Sequence, residues 1–219
     1  MTAETQSYCE VASHLPPRAV VSFHDVSWEE YERLLEELGD ATGLRISYND
    51  WTLKIMTLSS EHENFARFFE SLITVIRLRL GWNIRSFGSA TMKKQTRKKG
   101  SEPDACFYVQ NAGIVGNKMQ IDFAIDPPPD IVVEVDIHHD SLDKFSIYAA
   151  LGVPEIWRFD GEELTIHRLQ DDQYAPVQSS LALPMLSAST LTRFLARLPK
   201  DGESQTLVAF DEWLQSSEQ

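Results

Sequence analysis

Seven residues, DIVVEVD from Asp130 to Asp136, follow three consecutive prolines and lead into a helix-forming segment. Side chains alternate across a strand, so Ile131, Val133, Val135 and Ile137 share one face while Val132, Glu134, Asp136 and His138 share the other. A strand that passes directly into a helix is typical of a sheet covered on both sides. The first face is then core, and the acids on the second need partners. The same alternation in PDACFYV groups Asp104, Cys106 and Tyr108 against Ala105, Phe107 and Val109. If the two strands are neighbours, Asp104 and Glu134 converge, and converging acids repel unless a cation stands between them. Hard divalent ions such as Mg²⁺ take one or two carboxylates and keep several waters.

The segments around these strands give a consistent order. Ser27 and Glu30 form a capping box that opens a helix over Trp28 to Leu38, closed by Gly39. LRISY and TLKIM, separated by Asn49, Asp50 and Trp51, read as a β-hairpin. Phe65, Phe68, Phe69, Leu72, Ile73, Ile76 and Leu80 recur at three- and four-residue steps and predict a long helix ending near Gly81. WNIRSFGSATMKKQ and PDACFYVQN read as strands, with NAGIVGNK as a loop behind them. Ser141 to Leu151 reads as a helix stopped by Gly152 and Pro154. EIWRFD, ELTIHRL and YAPVQ follow as strands, and the tail carries helices around Leu191 to Leu198 and Gln205 to Leu214. This order predicts an α/β (α+β) fold in which a central mixed sheet is flanked by helices, preceded by an N-terminal helix and hairpin. With 219 residues and no second composition regime, the expectation is an extension over 1–24, one domain over 25–200, and a C-terminal helix over 201–219 packing on that domain.

Composition narrows the function classes. A net charge of -13 disfavours non-specific binding to nucleic acid, because the long-range field repels phosphate. Thr91 to Lys99 stands against that average, with Lys93, Lys94, Arg97, Lys98 and Lys99 and no acid. Two readings stand: a solvated hairpin tip, or a loop that holds phosphates. The cysteines Cys9 and Cys106 are too few for a disulfide framework and form no zinc-spaced cluster, which fits a reducing cytoplasm. Neither a secretory leader nor an apolar run of the ~20 residues needed to cross a bilayer is present, so no membrane partner is expected. Paired acids on a strand also occur in glycoside hydrolases, but those built on barrel strands need ~250 residues of repeating strand and helix, which this chain lacks.

The set ISYNDWTLKIM, SSEHENF, EPDACFYV, PPPDIVVEVD and LDKFSIYAALGVPEIWRFDGEELTIHRL resembles, in content and order, the Uma-type restriction-endonuclease family of the PD-(D/E)XK nuclease superfamily. The resemblance spans roughly 25–200 and is most specific over Pro129 to Trp157. It implies a restriction-endonuclease-like core, a metal-dependent endonuclease acting on DNA, and Mg²⁺ or Mn²⁺ as cofactor. Asp104 and Glu134 match the two acids that hold the metal, and Glu63 matches an acid contributed by the first core helix, with His62 in the same motif. The superfamily usually places a lysine two residues after the second acid, where this chain has Asp136. In the family a lysine on the following helix is frequent, and Lys144 occupies that place, leaving Asp136 to add a ligand or hold the lysine.

Each assignment has a plainer counterpart. Ser60 and Glu63 are spaced as a capping box, and Lys144 is spaced to pair with Asp140 on a helix surface. Lys54, on the hairpin, and Lys118 are weaker substitutes than Lys144 for the missing lysine. His138 and His139 are adjacent on a strand and point to opposite faces, which disfavours a shared metal ion. At the level of function the alternatives to an endonuclease are a non-catalytic nuclease-fold module that binds nucleic acid or a protein, and an element that forms a homodimer.

Overall fold

The IVVEV stretch is a buried strand at the centre of a six-stranded sheet, as its alternation predicts. The computed structural model describes residues 8–39 and 43–217. In chain order the elements are α1 (Tyr8–Ser13), β1 (Val20–Phe23), α2 (Trp28–Leu38), β2 (Leu44–Asn49), β3 (Thr52–Thr57), α3 (Ser60–Leu80), β4 (Arg85–Ser86), β5 (Met92–Lys94), β6 (Lys99–Ser101), β7 (Ala105–Tyr108), α4 (Ala112–Val115) and β8 (Ile131–Val135). A 3₁₀ turn over Leu142–Lys144 then leads into α5 (Phe145–Leu151), β9 (Glu155–Phe159), β10 (Leu164–Gln170), β11 (Gln173–Val177), α6 (Ala188–Leu195), α7 (Leu198–Asp201) and α8 (Glu203–Ser217).

The main sheet runs β11-β10-β9-β8-β7-β4. It is mixed because β8 and β9 are parallel, joined by the crossover through α5, while the other pairs are antiparallel. Ile131, Val133 and Val135 join Ala105, Phe107, Trp157 and Phe159 on one face, against the Phe65–Ile76 stripe of α3 and against Phe194 and Phe210 from α6 and α8. Each such side chain contributes about 1.5–3 kcal/mol by leaving water. On the other face Cys106, Val132 and Ile156 meet Tyr148 of α5 and Met92 of β5. None of the described helices is long and apolar enough to cross a membrane.

A second sheet, β1-β3-β2-β6-β5, was not anticipated. The LRISY/TLKIM hairpin forms as expected, with Asp50 and Trp51 in the left-handed region at its turn. Its outer neighbours come from segments that carry little local signal: β1 lies within the stretch expected to be an extension, and β6 within the basic segment. That segment is therefore neither a bare tip nor a bare loop but strand, 3₁₀ turn over Gln95–Arg97, and strand. The expected NAGIVGNK loop likewise holds the short helix α4.

Tyr31 of α2 stacks on Tyr48 of β2 at 4.8 Å, and Gly100 of β6 lies opposite Tyr48. A Cβ at Gly100 would stand 2.2 Å from the Tyr31 hydroxyl oxygen. Gly100→Ala is accordingly expected to destabilise by about 1–3 kcal/mol, the usual scale of overpacking. A urea midpoint unchanged from wild type would show that Tyr31 repacks freely.

The capping box at Ser27 and Glu30 is present in both directions. The one expected at Ser60 is not: Ser59 is the cap of α3 and accepts from the His62 N–H. Glu63, in the first turn, is thereby released from a capping role.

Candidate active site

Pro103 offers no N–H, so the ladder of β7 begins at Asp104, whose N–H donates to Val133 O at 2.9 Å. With Ala105 opposite Val133, the register brings Asp104 alongside Glu134 on the same face. The Asp104 carboxylate also accepts the Val135 N–H through Oδ2 at 2.8 Å, so it is tied to β8 twice. Asp104 is 5% and Glu134 1% exposed, a depth at which carboxylates require compensation.

Lys144 supplies it for Glu134. The 3₁₀ turn before α5 directs its side chain inward, and Nζ lies 2.8 Å from Glu134 Oε2, 3.1 Å from Oε1 and 3.2 Å from the Glu102 carbonyl. The surface pair with Asp140 does not form; Asp140 instead accepts the Leu142 N–H. Tyr148, four residues beyond Lys144 and so on the same helix face, donates its hydroxyl to Glu134 Oε1 and lies 3.2 Å from Ser101 Oγ. For Asp104 the cation is Arg45 of β2. Its Nε donates to Oδ1 at 3.0 Å, and its Nη2 donates to Glu63 Oε1 at 3.3 Å. His62 Nε2 lies 3.0 Å from Asp104 Oδ2.

The electrostatics follow. Burial pushes the Glu134 carboxyl up to about 7, against the pull of Lys144 and with a push from Asp104. Burial acts the same way on Asp104, but His62, Lys144 and Arg45 outweigh it and hold the carboxyl below its ordinary range. Burial works to lower Lys144, yet Glu134 and Asp104 prevail and keep it above its ordinary value, so the ammonium stays charged.

Other expected site residues lie elsewhere. Asp136 does not hold the lysine: its Oδ2 accepts the Ser141 N–H and hydroxyl and pairs with Arg158, closing the turn after β8. Glu63 stands at the rim with a side chain 34% exposed, joined to the acids through Arg45. Of the five basic residues, Lys93 pairs with Glu32, Lys99 with Asp50, and Lys98 lies over the Trp51 ring at 4.1 Å. Lys94 and Arg97 alone in that set have no acidic or aromatic partner among the described residues. Lys54 and Lys118 pair with Asp143 and Asp126. His138 is near Glu61 and His139 near Arg18 O, so they share no ligand.

Arg45, Tyr148 and Glu102 complete the site without having been expected. Tyr148 was readable from its spacing to Lys144, whereas Arg45 reaches the site only through the long-range pairing of β2 with β6. Arg45 and Glu63 border a pocket of about 410 Å³ that also takes in Thr91 and Glu102. Glu102, raised above its usual range by burial, accepts the Ile46 N–H and the Thr91 hydroxyl there.

Asp104 and Glu134 offer two hard carboxylates side by side, the kind and number of protein ligands that Mg²⁺ takes while keeping water. His62, with Nε2 beside Oδ2, adds a polar group next to Asp104. Among the described residues no group of three or more His, Cys, Asp or Glu side chains is placed to hold a metal ion, so any ion here would have these two carboxylates as its main protein ligands.

The sequence profile of the Uma2 family, described as "Putative restriction endonuclease", matches residues 28–198. The chain belongs to this family, which makes the mixed sheet and its helices a restriction-endonuclease-like core. A solved structure that matches is that of "a putative nuclease belonging to DUF820" from Anabaena variabilis ATCC 29413. It is 16% identical, with 68% of this chain and 90% of that chain covered and a TM-score of 0.45. No curated protein matches the sequence.

Proposed function

We propose that the protein is a metal-dependent endonuclease that hydrolyses phosphodiester bonds of DNA. The observation that carries this reading is the convergence of Asp104, Glu134 and Lys144 in one buried cluster. Asp104 and Glu134, with Glu63 at the rim, would hold Mg²⁺ or Mn²⁺. When bound, such an ion polarises a phosphoryl oxygen and lowers the pKa of water. Lys144, kept charged by the two acids, would orient the attacking water and stabilise negative charge developing on the phosphate. Tyr148 fixes the rotamer of Glu134 by holding Oε1. Lys94 and Arg97 would meet the DNA backbone locally, against an otherwise acidic surface.

Plasmid nicking tests this. With Mg²⁺ or Mn²⁺ the wild-type chain is expected to nick supercoiled DNA, and Glu134→Ala to lose at least about 100-fold of that rate. A purified wild type as inactive as Glu134→Ala would sink the proposal. A second reading, a non-catalytic module, draws on the full pairing of both acids by Arg45 and Lys144. DNA binding that ignores Mn²⁺ and survives Glu134→Ala would favour it.

A further inference from the structure

Arg45 is a charged side chain of the cluster with no part in the reaction proposed above. Its guanidinium bridges Asp104 Oδ1 and Glu63 Oε1, two of the three acids assigned to the metal, and its third contact is the Leu44 carbonyl at 2.9 Å. The side chain is 9% exposed, yet it forms part of the wall of the 410 Å³ pocket. Lys144, by contrast, does not border that pocket.

Three physical facts bear on what Arg45 does. An arginine keeps its charge at any working pH, so it cannot give way to a second cation by losing a proton. The Nε–H takes one acceptor site of Asp104 Oδ1, so a divalent ion on that carboxylate would stand close to the guanidinium, and like charges at contact distance repel strongly away from bulk water. The guanidinium can leave only where there is space and an acceptor, and the pocket provides space with Glu63 and Glu102 on its wall.

We infer that Arg45 is a displaceable internal cation: it neutralises Asp104 in the metal-free protein and must swing into the adjoining pocket before a divalent ion can bind. The inference rests on the endonuclease reading, because it takes Asp104 as a metal ligand. It makes Arg45 a positioning residue whose pairing with Asp104 weakens divalent binding. The ion gains Asp104 only by overcoming a salt bridge already made.

The test is Mn²⁺ titration of the full chain, with free Mn²⁺ followed by its electron paramagnetic resonance signal at fixed pH and ionic strength. Arg45→Met is expected to bind Mn²⁺ at least about tenfold more tightly than wild type, since the repelling charge is gone. The gain should vanish in Arg45→Met combined with Asp104→Asn. Arg45→Lys keeps the charge but cannot bridge both acids, so it is expected to fall between wild type and Arg45→Met. That variant decides the matter if circular dichroism shows that Arg45→Met does not fold. Equal affinity in wild type and the Arg45 variants, with binding lost in Asp104→Asn, overturns the displaceable-cation role and leaves the endonuclease reading intact. No binding by wild type or by either Arg45 variant overturns both.

Discussion

Lys144→Met should reduce DNA nicking to background and destabilise the fold by about 3–5 kcal/mol, because it strands a buried carboxylate. Among the described residues Glu134 has no other cation at hydrogen-bond distance, and its remaining side-chain partner is the Tyr148 hydroxyl. The molecule can respond by keeping Glu134 protonated, so the folded-state pKa, already raised in wild type, moves further up. Between the unfolded and folded pKa values the native state then binds more protons than the unfolded chain, and stability falls as pH rises. In EDTA the urea midpoint of Lys144→Met should therefore drop between pH 5 and pH 8 by more than that of wild type. Glu134→Gln combined with Lys144→Met removes both charges and should recover most of the stability with none of the nicking. Nicking that persists in Lys144→Met would remove the lysine from the reaction.

Asp136→Lys restores the lysine at the place where the superfamily usually carries it, and it should fail as a rescue. The Asp136 side chain is 4% exposed, with the Arg158 guanidinium and the Ser141 N–H and hydroxyl directed at it. A lysine there faces Arg158 and leaves the Ser141 N–H unpaired, a loss of about 3–5 kcal/mol. Paired with Lys144→Met, it should leave nicking at background. Wild-type nicking by that double variant would show that the strand position, and not the turn before α5, is where the ammonium is needed.

The parts of this site readable from sequence are those set by short-range periodicity. Alternation in DIVVEVD and PDACFYV put Asp104 and Glu134 on one face, and the strands are neighbours in the register that makes them meet. The inward direction of Lys144 was open, since a residue at a helix start can face either way; the 3₁₀ turn settles it. Arg45 was out of reach because its role depends on β2 pairing with β6, some fifty residues on, and on the resulting sheet docking over α5. Local patterns carry no signal for such pairing. Asp136 shows the converse: the alternation places it correctly, but its partner Arg158 lies on β9, beyond any local motif. The Ser60/Glu63 spacing misled for a simpler reason, since Ser59 offers the same hydroxyl one residue earlier.

Asp104 donates its own N–H to Val133 and receives that of Val135 on its carboxylate. Backbone geometry thus sets the spacing of the two acids, and the surface residues that would touch a substrate have no hand in it. On the endonuclease reading, substitutions at Lys94 or Arg97 would alter how nucleic acid is held without detuning the acids. A lineage built on this frame is free to drift in what it binds while inheriting the same chemistry.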